Sequence, residues 1–265
     1  MRCIKIDLDR DIKQLNIVPI SDWHIGSPKA DFKLMQSMVK QIAEDKNTYC
    51  ILNGDLIENS TKNSVGDVYE CELSPMQQIK TAIATLEPIK DKILGATLGN
   101  HEARSYKQDG IDLMYFLMSE FKLYDRYDPN AILLFVRFGE LQRGIKETNG
   151  SGNVRKLCYS LYATHGASGG RTPGAKANGL QRLGQIVNAD VCLISHTHYP
   201  MTFKESSYEI DYRNSIVSER ETLYVNSGSA LGYGGYAERF SLKPSSKAQP
   251  IIMLNGTKKE AKAIV

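Results

Sequence analysis

All five histidines of this 265-residue chain fall within a set of five short segments that also carry Asp and Asn side chains, and each segment follows an apolar, strand-like run. In chain order the segments are Asp22-Trp23-His24, Asn53-Gly54-Asp55, Gly99-Asn100-His101-Glu102, Thr164-His165-Gly166 and His196-Thr197-His198. No histidine is left over for the core or the open surface. Imidazole nitrogens mixed with carboxylate and amide oxygens suit divalent manganese, iron or zinc. The chain must therefore fold so that several strand ends meet around one centre.

The intervening pattern supplies such a fold. Residues 15–20 are an apolar strand candidate ending at Asp22. Behind a possible Asp31 cap, Phe32, Met35, Val39 and Ile42 recur at helical spacing. Residues 49–52 read as a short buried strand, Ser74-Pro75 opens a second helix running to about Lys90, and residues 93–98 form the next strand. This β-loop-α alternation predicts a sheet flanked by helices, with functional loops just past the C-terminal strand ends. Residues 1–7 read as a first strand. The second half is richer in strands, at 131–138, 157–163, 191–194, 222–225 and 251–254, with a helix at 180–188. Residues 144–153 read as a long hairpin connection, and 228–236, rich in glycine and tyrosine, as an ordered irregular loop. Because candidate residues run from 22 to 198, a domain boundary among them would cut the site, and a single domain over 1–265 is expected.

Composition excludes several classes. A charged fraction of 24% and a hydrophobic fraction of 42% describe an ordinary globular chain, long enough to bury roughly 75% of its unfolded surface. No apolar run approaches the ~20 residues of a membrane span, and residues 1–7 lack the apolar stretch of a secretion signal, so no membrane partner is expected. A net charge of +3 is too small to announce a nucleic-acid binder and leaves room for a local basic groove. Five cysteines, an odd number without a Cys-x-x-Cys pair, read as reduced thiols of a cytoplasmic protein.

Taken singly, Asp-x-His or Gly-Asp carries little information, and a lone histidine after a strand is more often structural than a ligand. Spacing adds weight, because residues i and i+2 of an extended segment project to the same side, ~6–7 Å apart. On that reading Asp22 with His24, and His196 with His198, converge from extended backbone.

The ordered set Asp-x-His, Gly-Asp, Gly-Asn-His-Glu, His and His-x-His resembles the calcineurin-like metallophosphoesterase superfamily, and it spans residues 22–198 here. The resemblance implies an α/β fold of two β-sheets sandwiched between helices, in four layers. It implies two divalent metal ions, manganese first, with iron, zinc or magnesium as alternatives. Asp22, His24, Asp55 and His198 would hold one ion; Asp55 would bridge to the second, completed by Asn100, His165 and His196. His101 would stand beside the leaving oxygen as the catalytic acid. Two ions ~3.5–4 Å apart polarise a phosphoryl oxygen and neutralise charge developing during in-line displacement.

Trp23, Glu58 and Glu102 carry weaker signals, with packing the ordinary explanation for the tryptophan. The stretch 166–176 follows His165, has glycines that let backbone amides approach a phosphate, and carries Arg171 and Lys176, then Arg182. Arg171 and Lys176 are the substrate-binding candidates, against the alternative of a merely mobile loop. The metal motifs resemble the nuclease branch of the superfamily, including bacterial double-strand-break repair exonucleases, and compact bacteriophage phosphoesterases. A phosphodiester substrate, DNA among the candidates, is expected, with Tyr233 and Tyr236 available for stacking. No appended capping domain or coiled coil is visible, which argues against action on long duplex ends. A nucleotide or small-ester phosphodiesterase or phosphatase needs the same metals. The protein serine/threonine phosphatases continue their second motif with Asp-Arg-Gly, where this chain has Leu56-Ile57-Glu58-Asn59. A non-catalytic scaffold ranks last, because such scaffolds usually lose ligands that are all present here. Oligomeric state and cleavage polarity stay open.

Overall fold

The structure is a computed structural model that describes residues 1–62, 64, 68–140, 156–167, 170–244 and 246–265. In chain order its elements are β1 (Arg2–Asp7), β2 (Gln14–Ile20), α1 (Phe32–Glu44), β3 (Thr48–Asn53), α2 (Pro75–Leu86), β4 (Ile93–Thr97), α3 (Glu102–Asp109), α4 (Leu113–Glu120), β5 (Tyr127–Asp128), β6 (Ile132–Phe138), β7 (Leu157–Ala163), α5 (Pro173–Gln181), α6 (Leu183–Ile186), β8 (Val191–Ile194), β9 (Met201–Asp211), β10 (Ile216–Asn226), α7 (Tyr236–Arg239), β11 (Ile251–Asn255) and β12 (Ala261–Ile264). They form two six-stranded mixed sheets, ordered β1-β6-β7-β8-β10-β9 and β12-β11-β2-β3-β4-β5.

Side-chain alternation explains the layering. In β2, Leu15 and Ile17 face the opposing sheet while Val18 and Ile20 face α1 and α2; in β3, Ile51 points one way and Cys50 and Leu52 the other. Ile132, Leu134, Val136 and Phe138 of β6 and alternate residues of β7, β8 and β10 close the core between the sheets. A third cluster packs Tyr162, Cys192, Ile194 and Tyr224 beneath Leu180 and Leu183 of α5 and α6. Three apolar layers separate four structural ones, giving the expected order helix, sheet, sheet, helix.

The N-terminal half follows its sequence signals closely. Asp31 caps α1 by accepting from the Leu34 amide at 3.1 Å, and Ser74 with Gln77 forms a capping box ahead of Pro75. The third β-loop-α unit is completed by α3 and α4. Further on, the stretch ahead of Lys176 departs from the loop expectation. Thr172 caps α5 and Pro173 takes its first position, so Lys176 lies on a helix and the loop proper is shorter. The helix expected over 180–188 is instead two pieces beginning at Pro173 and ending at Ile186. The strand at 222–225 is the inner end of an 11-residue strand paired along its whole length with β9. The hairpin connection expected at 144–153 lies outside the described residues.

Strands β2, β3 and β4 run parallel, as do β7, β8 and β10. Their C-terminal ends therefore deliver six connecting segments to one edge of the double sheet.

Candidate metal centre

Backbone conformation is the first sign of an unusual site. Of the nine non-glycine residues with left-handed φ among the described residues, five are sequence candidates: Asp22 (φ 52°), His24 (49°), Asp55 (52°), His196 (69°) and His198 (51°). Such conformations cost of order 1–3 kcal/mol each and collect where a site over-determines them. They also correct the expectation of extended backbone: Asp22 and His24, like His196 and His198, converge because the chain curls in left-handed turns.

Close approach of loops fixes the turns. Gly54 and Gly99 lie back to back, and a Cβ on Gly54 would stand 2.5 Å from the Gly99 Cα. Between the sheets, buried Asn53 donates through Nδ2 to the Thr164 carbonyl (2.9 Å) and to Ser195 Oγ (2.5 Å), while its Oδ1 accepts from Thr97 Oγ1 (2.8 Å). One amide thus pins the ends of β3, β4, β7 and β8 together. Glu102, fully buried, accepts from the amides of Asp55 (3.0 Å), Leu56 (2.7 Å), Ile57 (3.2 Å) and Gly99 (3.1 Å), which sets the shape of the Asp55 turn. Burial and the neighbouring Asp55 charge push the Glu102 carboxyl up to about 7, against the pull of these donors.

All seven metal-ligand candidates come together, in two groups. In the first, His198 Nε2 lies 3.1 Å from Asp22 Oδ1 and 3.1 Å from His24 Nε2. In the second, His165 Nε2 lies 3.1 Å from Asp55 Oδ2 and 3.1 Å from Asn100 Oδ1, with His196 close by. Nitrogen and oxygen donors held ~2.1 Å from one ion stand roughly 3 Å from one another, so these spacings are those of a ligand shell.

Hydrogen bonding on the far side of each ring tests the fit. His24 Nδ1 is 3.0 Å from Glu58 Oε2 and His165 Nδ1 is 2.7 Å from the Asn53 carbonyl. With the proton held on Nδ1, each Nε2 turns a lone pair inward, onto other acceptors. Acceptor facing acceptor is repulsive unless a cation stands among them, and buried Asp22 Oδ1 has, among the described residues, no donor to satisfy it other than the His198 Nε2 it faces at 3.1 Å. The donor set therefore fits divalent metal. Without metal, protons answer the same demand. Burial opposes charge on His24 and His165, yet the Glu58 contact with Asp55 and Asp22 raises His24 to about 9, and Asp55 with Asp22 raises His165 to about 10. Burial likewise opposes the carboxylates, but the histidine charges hold Asp55 well below the usual range and Glu58 down to about 2.

His101 forms a third cluster with His24 and Glu58, their ligand atoms within 4.8 Å of one another; its Nε2 is 3.9 Å from Asp55 Oδ2 and its ring lies edge-on to His24 at 4.4 Å between centroids. Its Nδ1 donates to the Glu58 carbonyl at 2.6 Å, and its Nε2 accepts from Arg104 Nη2 at 3.0 Å. Burial pushes this imidazole down to about 4. Glu58 and Arg104 were the least visible in the sequence: Glu58 sits one turn past Asp55 in no recurring motif, and only its i+3 spacing from His101 marks Arg104. Trp23 is fully buried in the helix-side core, so packing accounts for it.

The basic candidates divide. Lys176 Nζ donates to the Thr197 carbonyl (2.9 Å) and lies 4.8 Å over the Tyr199 ring, while Arg171, ahead of α5, is exposed. Tyr233 is exposed; the Tyr236 side chain lies outside the described residues.

A family model described as calcineurin-like phosphoesterase matches residues 15–200, the span that holds all seven metal-ligand candidates and His101. This chain belongs to the calcineurin-like phosphoesterase family. Solved structures similar to it include a predicted phosphoesterase from Streptococcus pneumoniae TIGR4 (13% identity, 96% of this chain and 90% of that one, TM-score 0.38). Vacuolar protein sorting 29 from Cryptosporidium parvum is another (14%, 95% and 97%, 0.45), as is wild-type Vps29 complexed with zinc from Entamoeba histolytica (11%, 94% and 97%, 0.33). No curated protein sequence matches the chain. Membership in the calcineurin-like phosphoesterases agrees with the two-sheet architecture and with groups of residues suited to metal. Among the described residues no helix is long and apolar enough to cross a membrane.

Proposed function

We propose that this chain is a two-metal phosphodiesterase whose substrate is nucleic acid, with the whole of residues 1–265 acting as one catalytic domain. The observation that carries the reading is the pair of inward-facing acceptor groups, three or more lone pairs each, Asp22, His24 and His198 in one and Asp55, Asn100, His165 and His196 in the other. Asp22, His24, Asp55 and His198 would hold one ion, and Asp55, Asn100, His165 and His196 the other, with manganese the first choice for this mix of donors. Bound there, the two ions would supply Lewis acidity toward a phosphoryl oxygen and neutralise the charge that develops on displacement.

The remaining chemistry belongs to the chain. Glu58 and the Asn53 carbonyl hold His24 and His165 in the tautomer that directs Nε2 inward. His101, anchored through Nδ1 on the Glu58 carbonyl, turns Nε2 toward the departing oxygen; that nitrogen is unprotonated in the free protein, so it would take a proton from solvent before handing it on, a contribution of typically 10²–10⁴ in rate. Nucleic acid is favoured over a small ester by what borders the centre. Tyr199 directly follows His198, exposed Arg171 precedes α5, and the 228–235 segment with exposed Tyr233 is tied to the centre where the Ala230 amide donates to the Asp22 carbonyl at 3.1 Å. Such groups contact backbone phosphates and stack bases. Five free cysteines accord with work in the reducing cytoplasm.

The test is a parallel manganese-dependent assay on bis(4-nitrophenyl) phosphate, 4-nitrophenyl phosphate, single- and double-stranded DNA and cyclic nucleotides, with wild type and His101→Asn. Cleavage of DNA and of the diester is expected. The variant should keep its metal and lose more rate on DNA than on the nitrophenyl ester, whose leaving group needs no proton. Diester cleavage without DNA cleavage transfers the assignment to nucleotides or small esters; no turnover at all removes the enzyme.

A further inference from the structure

Arg104 follows His101 by three residues on α3, so one helical turn brings its guanidinium back over the imidazole. Its Nη1 donates to the Glu58 carbonyl at 2.9 Å, which seats the group, while Nη2 lies 3.0 Å from His101 Nε2. That nitrogen is itself 3.9 Å from Asp55 Oδ2, so the cation reaches the rim of the candidate centre. Its nearest carboxylate, Glu58 Oε1, is 3.9 Å from Nη1, and Nη2 has been given a neutral ring nitrogen instead. A guanidinium N–H paired with a neutral acceptor is poorly matched, because the same donor gains roughly twice as much from an anionic oxygen, and a phosphate presents two in the right fork. The side chain keeps about a fifth of its surface exposed, so it is held without being sealed.

We infer that Arg104 is a phosphate contact held in reserve: it caps His101 Nε2 in the free protein and turns Nη2 to a phosphoryl oxygen when a phosphate ester enters, leaving the lone pair of His101 Nε2 free to take from solvent the proton it passes to the leaving oxygen. This inference rests on the phosphodiesterase reading for its substrate. Its two halves are linked geometrically, since one hydrogen-bond position on His101 serves first the arginine and then the ester. Glu58 supports both states, its carbonyl holding Nη1 of Arg104 and Nδ1 of His101 together.

The experiment compares wild type with Arg104→Met, which keeps the bulk, and Arg104→Lys, which keeps the charge. Manganese content, calorimetric binding of inorganic phosphate to the manganese-loaded protein, and the KM and kcat of diester cleavage are measured for each. In the metal-free proteins, nitrogen-15 NMR reads the His101 tautomer. Expected are unchanged metal content and phosphate affinity weakened roughly 10- to 100-fold in Arg104→Met, the range for a hydrogen bond between charged groups. KM should rise in parallel, Arg104→Lys should recover part of the loss, and the Nε2 signal of His101 should shift in both variants. Phosphate affinity within twofold of wild type in both variants, with only kcat reduced, would make Arg104 a support for His101 and overturn the inference. Loss of manganese from both variants would overturn it too, as a structural role. Should wild type bind manganese and phosphate and yet cleave no ester, the phosphodiesterase reading fails alone, and the phosphate affinities still decide the role of Arg104.

Discussion

On the proposed two-metal reading, Asp55 is the residue on which both halves of the centre would depend. Its Oδ1 accepts from the His101 amide at 2.8 Å and its Oδ2 faces His165 at 3.1 Å, inside a turn that Glu102 shapes through three successive amides. Asp55→Asn keeps the volume and the hydrogen bond from His101 but removes the charge that, on that reading, both groups would share. Manganese titration should show the two sites weakening together, by more than the roughly 10- to 100-fold that loss of an outer partner costs. If one ion still binds with wild-type affinity, Asp55 bridges nothing. Residue identity was legible here because histidine, aspartate and asparagine stand one or two positions beyond each apolar run. What those side chains lean on was not. Glu58 and Arg104 serve through single contacts set by where β3 and α3 end, and a contact of that kind leaves no periodicity in the chain.

At the level of elements, the strands that end at the centre could be read because they are buried on both sides and so nearly continuous in apolar residues. The polar α3 and the outer ends of β9 and β10 could not, since Tyr208, Ile210 and Val217 lie exposed and the hairpin has no buried face to impose alternation. The case of α5 is mixed: its glycines suggested a loop, while Thr172 and Pro173 are ordinary helix-start residues whose signal the glycines masked. Its formation separates the two basic candidates. Arg171 precedes the helix and is exposed, so Arg171→Ala should raise KM for DNA and lower the slope of log affinity against log salt by about 0.7–0.9 if one phosphate contact is lost. Lys176 is bound to the loop between His196 and His198. Lys176→Ala should cost about 1 kcal/mol, a Tm drop of about 2 °C, with a change in metal affinity and little in KM. Kinetics on DNA and on a minimal diester, together with calorimetry, separate the two; equal KM effects in both variants would make them a common phosphate grip.

For the molecule as a whole, the proposed centre would couple folding to both protons and metal. In the metal-free protein His24 stands at about 9 and His165 at about 10, above the ~6.5 of an unfolded histidine. Their contribution is fully present below about pH 6.5 and is lost as pH rises through 9 and 10. Asp22, Asp55 and Glu58 are depressed, so what they contribute is fully present above the ordinary carboxylate range and is lost as pH falls below that range through their lowered values. Metal-free protein should accordingly be most stable between about pH 4.5 and 6.5 and weaken toward alkaline pH. Manganese bound at the proposed centre would occupy the lone pairs those protons take, so its binding should release protons and tighten as pH rises. Since a ligand of the native state stabilises by an amount that grows with its affinity, the Tm difference between manganese-loaded and chelator-treated protein should widen steadily from about pH 5.5 to about pH 8.5. Scanning calorimetry across that range measures it, and titration in buffers of different ionisation enthalpy counts the released protons. A difference that stays flat or narrows, with no proton released, would mean that the metal does not bind through His24 and His165, and the assignment of both groups would fall together.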